Sequence, residues 1–198
     1  MSFQLGNFAL TLINTIFNLF TFLLMLRFAL QAARADTMNP INQGILGATD
    51  WLIAPVQRSL HPISGRYEYV TVIAAVLVKI IGITLIFKLF EGVYLPFYNL
   101  LIAGVAGALN AIISIYYFAL IIMVAISWIA PSANHPGAIL IYQLTQPILQ
   151  PLHRVLPSLG GLDFSPIVAF LLITFADNLI VNRLVIMSMI PARVVIGY

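Results

Sequence analysis

The sequence contains no cysteine and few charged side chains. The absence of cysteine excludes disulfides and every thiolate metal or redox site. Only 8% of the 198 residues are charged and 62% are hydrophobic, whereas a soluble domain usually carries about 25% charged residues. The composition therefore predicts a membrane protein. The net charge of +3 comes from basic residues that are spread over the chain, which is not the footprint of a nucleic-acid-binding protein.

Four apolar stretches are long enough to cross a bilayer, which takes about 20 residues. The first has no positively charged start and no small-residue cleavage site after it, so we interpret it as a retained span and not as a signal peptide. The start of the third is open between Leu100 and Ala108. The sequence thus predicts an all-α membrane protein with spans at about 8–30, 69–90, 104–129 and 166–189.

Two long connections separate the spans within each half of the chain. In the second connection, apolar residues recur every three or four positions from Ile141, and glutamines and His153 occupy another face. This pattern is typical of an amphipathic helix, which we expect at about 137–157, flat in the membrane interface. The first connection shows the same stripe more weakly over about 40–60. Prolines predict a kink or a split in these helices, at Pro147 and Pro151 in the second and at Pro55 in the first.

The two halves of the chain align without a gap at a shift of 96 residues. We therefore predict two repeats, 1–98 and 99–198, each built as span, interfacial segment, span. Two spans return the chain to its starting side, so the halves are parallel and not inverted as in many transporters. The identities at this shift include the pairs Asn14/Asn110, Phe22/Phe118, Pro40/Pro136, Thr49/Thr145, Pro55/Pro151 and Arg58/Arg154.

The distribution of basic residues predicts the orientation. The long connections and their flanks carry five arginines, and the opposite side carries Lys88 and Arg193. Because cytoplasmic loops are enriched in Lys and Arg, we expect both connections in the cytoplasm of a bacterial inner membrane and both termini outside. The five arginines are Arg27, Arg34, Arg58, Arg66 and Arg154.

Several polar residues lie inside the predicted spans. Lys79 and Asp177 fall at similar depths in the second and fourth spans, and a charge near the bilayer centre costs at least ~2.5 kcal/mol, so each should find a partner. One hypothesis is a Lys79–Asp177 pair along an ion path. The alternative, which we favour, is a structural pair that fixes how the halves dock. Asn14, Asn110 and Asn178 are interpreted as hydrogen-bonding groups between helices.

Arg58 and Arg154 are the repeated basic residues of the connections. They are candidates for binding anionic lipid or an acidic partner, and the alternative is that they only extend to the headgroups. His61, His135 and His153 have neither the spacing nor the accompanying carboxylates of a metal site. We interpret them as solvated histidines and predict neither metal nor cofactor. No catalytic motif is present, so we predict no enzyme.

The stretch "GGLDFSPI" precedes the fourth span. Ser165 suits the N-cap of a helix whose first residue is Pro166. Asp163 places negative charge near the positive end of that helix, and Arg154 is a candidate partner for it. Gly160 and Gly161 permit a tight turn from the connection into the span.

This region resembles the YggT family, also called YlmG, of small membrane proteins. The family pattern has spaced prolines with a nearby arginine, paired glycines, and an acid–x–serine–proline before an apolar helix. The first repeat lacks the acid–x–serine–proline and keeps only Pro55 and Arg58. The matching positions of the second repeat are Pro147, Pro151, Arg154, Pro157, Gly160, Gly161, Asp163, Ser165 and Pro166.

The resemblance implies an integral inner-membrane protein. Relatives are connected with osmotic stress and potassium uptake, others lie near cell-division genes, and plastid relatives act in nucleoid distribution and haem attachment to cytochromes. Diverse roles of this kind favour a non-enzymatic scaffold or assembly factor with a membrane-protein partner, anionic lipid or a second copy of itself. The alternative is a potassium transporter or channel with Lys79 and Asp177 in its path. A haem-handling chaperone is a third, weaker possibility.

Overall fold

The computed structural model describes residues 2–59, 68–129, 135–156 and 163–197. Within these ranges the chain is helical and has no β-strand. A π-helical turn, Asp177–Val181, joins the helices on either side of it into one continuous helical rod. The helices are α1 Ser2–Ala32, α2 Pro40–Ser59, α3 Glu68–Phe90, α4 Phe97–Ile129, α5 Pro136–Val155, α6 Ser165–Ala176, α7 Asn182–Ser188 and α8 Ala192–Val195.

Four helices are long and apolar enough to span a membrane, as the sequence predicted. Helix α4 begins earlier than expected because the N–H groups of Asn99 and Leu100 donate to the carbonyl of Pro96, which fixes the first turn. The four spans are Phe8–Ala32, Tyr69–Phe90, Phe97–Ile129 and Ser165–Ser188.

Helices α2 and α5 begin in the same way, with a side-chain cap and a proline as the first helical residue. Asn39 Oδ1 accepts from the N–H of Ile41 at 3.0 Å. His135 Nδ1 accepts from the N–H of Gly137 at 3.1 Å, so this histidine is a cap. Each helix is continuous through its internal prolines, and the predicted split is absent. The duplication and the interfacial position of these helices stay predictions from the sequence.

The core of the bundle is formed where α1, α3 and α4 pack on one another. Small residues bring the helices close: a Cβ added at Gly104 of α4 would lie 2.7 Å from Ile80 Cγ1 and 3.1 Å from the carbonyl oxygen of Val76. Because the spans lack a hydrophobic driving force in lipid, such close approach supplies much of their association through van der Waals contact.

Gly104→Ala is therefore expected to weaken the bundle by about 1–3 kcal/mol, because the new methyl group meets backbone that cannot move aside. Gly47 of α2 is the matched control, since a Cβ there meets nothing within 4 Å. Gly47→Ala should be neutral or gain about 0.5–1 kcal/mol of helix stability. Thermal unfolding of both variants in the same detergent measures the difference, and equal melting temperatures would contradict the close packing.

Candidate functional site

The chain turns back into the bundle after its last span. Helix α7 is capped by Met189, whose left-handed backbone (φ 56°, ψ 21°) reverses the direction, and the short helix α8 follows Pro191. The reversal is fixed by Asn99, whose Nδ2 donates to the carbonyl of Ser188 at 2.9 Å. We call residues 190–197 the return segment.

The return segment packs against the helices through Ile190, Val194 and Val195, which are buried. Asn99, near the start of α4, holds Ser188 just before the segment, and Asn110 Nδ2 donates to the carbonyl of Ile196 near its end at 3.5 Å. These asparagines are separated along α4 by about 16 Å at 1.5 Å per residue. Irregular backbone is tolerated at membrane depth only where protein satisfies its polar groups, so the side chains around this segment decide whether it can stay there.

Polar side chains of the spans meet this requirement. Asn14 Nδ2 donates to the carbonyl of Arg193 at 2.7 Å. Lys79 Nζ donates to the carbonyl of Val194 at 2.9 Å and to Asn18 Oδ1. We call Asn14, Asn18, Lys79 and Asn110 the polar centre. Its four side chains come from α1, α3 and α4, so the return segment joins three spanning helices.

The lysine at the polar centre is fully enclosed. Its side chain is 1% exposed, and its stem lies against Gly107, where a Cβ would come within 2.8 Å of Lys79 Cγ and Cε. The predicted ion pair between Lys79 and Asp177 is not formed. The ammonium instead has one amide oxygen and one backbone carbonyl as acceptors.

The other predicted intramembrane groups have different partners from those expected. Asp177 begins the π-helical turn, and its Oδ1 is buried and accepts no hydrogen bond from the described part of the chain. Asn178 Nδ2 donates to the carbonyl of Thr174 at 2.9 Å, within its own helix and not between helices. The expected hydrogen bonds of Asn14 and Asn110 across the bundle are present, but both go to backbone of the return segment.

Sequence reasoning missed a second buried cation, Arg27, near the end of α1. Its side chain is 5% exposed, and Nη1 donates to Asp50 Oδ1 at 2.6 Å and to Thr49 Oγ1 at 2.9 Å. This pair fastens α2 to α1. The available signal was a lone arginine at the end of an apolar run, followed by an acid on an amphipathic stripe.

Helices α2 and α5 are also fastened to each other. Asn39 Nδ2 donates to the carbonyl of Pro136 at 2.7 Å, and the N–H of Asp36 donates to Gln143 Oε1 at 3.0 Å. Arg58 and Arg154 lie exposed in the last turns of α2 and α5. Neither arginine forms an ion pair with any residue that the structure describes.

A groove of about 880 Å³ lies between the second half of α4, helix α5 and the start of α6. Its lining is mostly apolar, and His153 and Asp163 stand in its wall. These two are hydrogen-bonded to each other, with His153 Nε2 2.9 Å from Asp163 Oδ2. The candidate partner Arg154 does not bind Asp163, and His153 is not simply solvated.

Asp163 also holds the start of α6. Its Oδ1 accepts from the N–H of Ser165 at 2.9 Å, so Ser165 is the first helical residue and not the predicted N-cap, and Pro166 is the second. Partial burial by itself favours the protonated acid, but hydrogen bonds from Ser165 and His153 outweigh it and lower the pKa of the Asp163 carboxyl. The predicted motif residues Pro157, Gly160 and Gly161, and also His61 and Arg66, lie outside the described residues.

The fold and these contacts define a class, an all-helical protein whose four long apolar helices are consistent with a multi-pass membrane protein. The sequence matches the model of the family described as CCB3/YggT over residues 6–90 and 102–184. The chain belongs to this family, which confirms the resemblance seen in the sequence.

The relatives are uncharacterised proteins of similar length. A protein of Pseudomonas aeruginosa is 37% identical over 190 residues, which cover 96% of each chain. A protein of Vibrio alginolyticus is 32% identical over 85% of this chain and 90% of its own. The protein named YggT of Escherichia coli K12 is 32% identical over 82% of this chain and 83% of its own. No solved structure matches the chain.

Proposed function

We propose that the chain is a non-enzymatic scaffold or assembly factor that holds a membrane-protein partner on helices α2 and α5. The observation that carries the proposal is the fastening of both helices, through Arg27–Asp50 and Asn39–Pro136, while Arg58 and Arg154 stay exposed and unpaired among the described residues. Exposed arginines on a pre-organised surface suit a carboxylate or phosphate group, because the planar guanidinium can bind two of its oxygens at once. The relatives' names point to no catalysis.

Three further parts of the proposal rest on the sequence: the duplication, the orientation in the membrane and the cellular process. The two stretches matched by the family model begin 96 positions apart, at residues 6 and 102, which supports a duplicated architecture with α2 and α5 as equivalent interfacial helices. The arginine bias supports a cytoplasmic position for both helices in a bacterial inner membrane. By analogy with relatives in the YggT family, we propose that the scaffold acts in osmotic stress or in cell-envelope or division processes.

An ion path through Lys79 and Asp177 has less support. The ammonium of Lys79 is enclosed and donates hydrogen bonds to Asn18 and to the carbonyl of Val194. The return segment fills the space beside it. A path there would need this segment to leave.

A photo-crosslinking residue in place of Val155, which is 80% exposed, tests the scaffold. In native membranes it should capture one specific membrane protein, and Arg58→Ala together with Arg154→Ala should reduce capture about tenfold, the effect of losing one or two charged hydrogen bonds. Arg34→Ala is the matched control, because Arg34 is exposed in the same connection but lies before α2.

Two outcomes would contradict the scaffold. In the first, capture is equal in the double variant and in the Arg34→Ala control, which would mean that Arg58 and Arg154 hold no partner. In the second, purified protein in liposomes conducts potassium, with flux lost in Asp177→Asn and kept in Arg154→Ala, which would favour the ion path.

A further inference from the structure

The groove between α4, α5 and α6 has two chemically different ends. Met123, Val124 and Ile167 line it on α4 and α6, the two helices with the length and composition of membrane spans. Gln146, Gln150 and the His153–Asp163 pair line it on α5 and at the corner before α6. An apolar half beside the spans and a polar half at their end match an amphiphile that lies parallel to those helices.

The volume of about 880 Å³ falls within the range of small-molecule sites, about 300–1,000 Å³. A groove on the outside of spanning helices opens to lipid, because Trp128 and Ile167 in its wall are 84% and 56% exposed. The molecule present there at the highest concentration is therefore a bilayer lipid.

The polar end favours one kind of headgroup. Asp163 is ionised at neutral pH and its side chain is 54% exposed, so it can accept a further donor beyond Ser165 and His153, since a carboxylate has about four acceptor positions. The carboxylate only accepts, so His153 Nε2 must be the donor in their hydrogen bond. The amide groups of Gln146 and Gln150 are donors for phosphate oxygens.

We propose that this groove binds a phosphatidylethanolamine molecule, with its primary ammonium on Asp163, its phosphate on the α5 amides and one acyl chain along α4 and α6. A primary ammonium offers three N–H donors to the carboxylate. A choline headgroup offers none, and a glycerol headgroup leaves a net negative lipid beside Asp163. This site is distinct from the exposed arginines of the proposed scaffold surface, and its test does not depend on them.

Tryptophan fluorescence tests the site, because the chain has two tryptophans and one of them, Trp128, lines the groove. In the Trp51→Phe variant, Trp128 is the only reporter. The protein is placed in vesicles that contain ethanolamine, choline and glycerol lipids at equal mole fractions. In each of three preparations, only one of these lipids is brominated, near the headgroup end of its acyl chain. The ethanolamine lipid should quench Trp128 with about tenfold higher relative affinity, the effect of one hydrogen bond to a charged group.

Asp163→Asn removes the charge and should abolish this preference. Asn keeps an oxygen for the N–H of Ser165 and is an equally good helix cap, so α6 should still form, which far-UV circular dichroism checks. If Asp163→Asn misfolds, His153→Gln takes its place in the test, because it changes the same polar end of the groove and should weaken the preference. The Trp128→Phe chain, with Trp51 as reporter, is the control and should show no headgroup preference.

Equal quenching by the three lipids would overturn the proposal, and so would a preference that survives Asp163→Asn. Quenching by none of the lipids would show that protein covers the groove, which also overturns it.

Discussion

Deletion of residues 190–198 is expected to leave a chain that inserts but does not form a stable bundle. The deletion removes the buried side chains of Ile190, Val194 and Val195, which are 4%, 4% and 0% exposed. It also takes one of two acceptors from Lys79 and the carbonyl partner of Asn14. A buried charge with a lost partner and a large cavity together cost roughly 5 kcal/mol or more, which is comparable with the whole stability of many proteins.

Thermal unfolding and protease resistance in detergent measure this loss. Arg193→Ala is the matched control inside the same segment, because its side chain is exposed and its carbonyl, which Asn14 binds, is kept. The control should stay within about 0.5 kcal/mol of the parent chain. A synthetic peptide of residues 190–198, added to the shortened protein, should restore part of the melting temperature. A deleted chain that melts like the parent would show that the return segment does not hold the spans together.

Hydropathy predicts the spans of this protein well, because a run of about 20 apolar residues has few other stable states. The same signal cannot find the return segment. Val194, Val195 and Ile196 form an apolar run too short for a span, next to Pro191 and Arg193, and nothing local says that such a run folds inward. Its place depends on Asn14, Lys79 and Asn110, which are at least 80 residues away in the chain.

For the candidate site residues, the sequence predicts the depth of a side chain along its helix but not its direction around the helix. The repeat predicts that Lys79 and Asp177 lie at similar depth, but not which way each side chain points around its helix. Lys79 points to Asn18 and Val194, whereas Asp177 sits where a π-helical turn changes the helical phase. Pairings between neighbours are equally sensitive to phase. His153 and Arg154 are adjacent in the sequence, and only His153 faces Asp163.

Asn18→Leu is expected to destabilise the bundle by about 2–3 kcal/mol, because it leaves the ammonium of Lys79 with a single acceptor, the Val194 carbonyl, in a buried place. Asn178→Leu is the matched control. It makes the same substitution in a span, but Asn178 is exposed and, among the described residues, bonds only within its own helical rod, so its loss should be close to neutral in lipid.

The double variant Asn18→Leu with Lys79→Met distinguishes loss of this hydrogen bond from a general loss of packing. Once the lysine is gone, no charge needs the Asn18 oxygen, so the double variant should be more stable than Asn18→Leu alone. Equilibrium unfolding in mixed micelles gives the four free energies of the cycle, and we expect a coupling of at least about 1 kcal/mol. Additive losses would mean that the lysine is not held by Asn18, and the polar centre would then owe its stability to the backbone of the return segment alone.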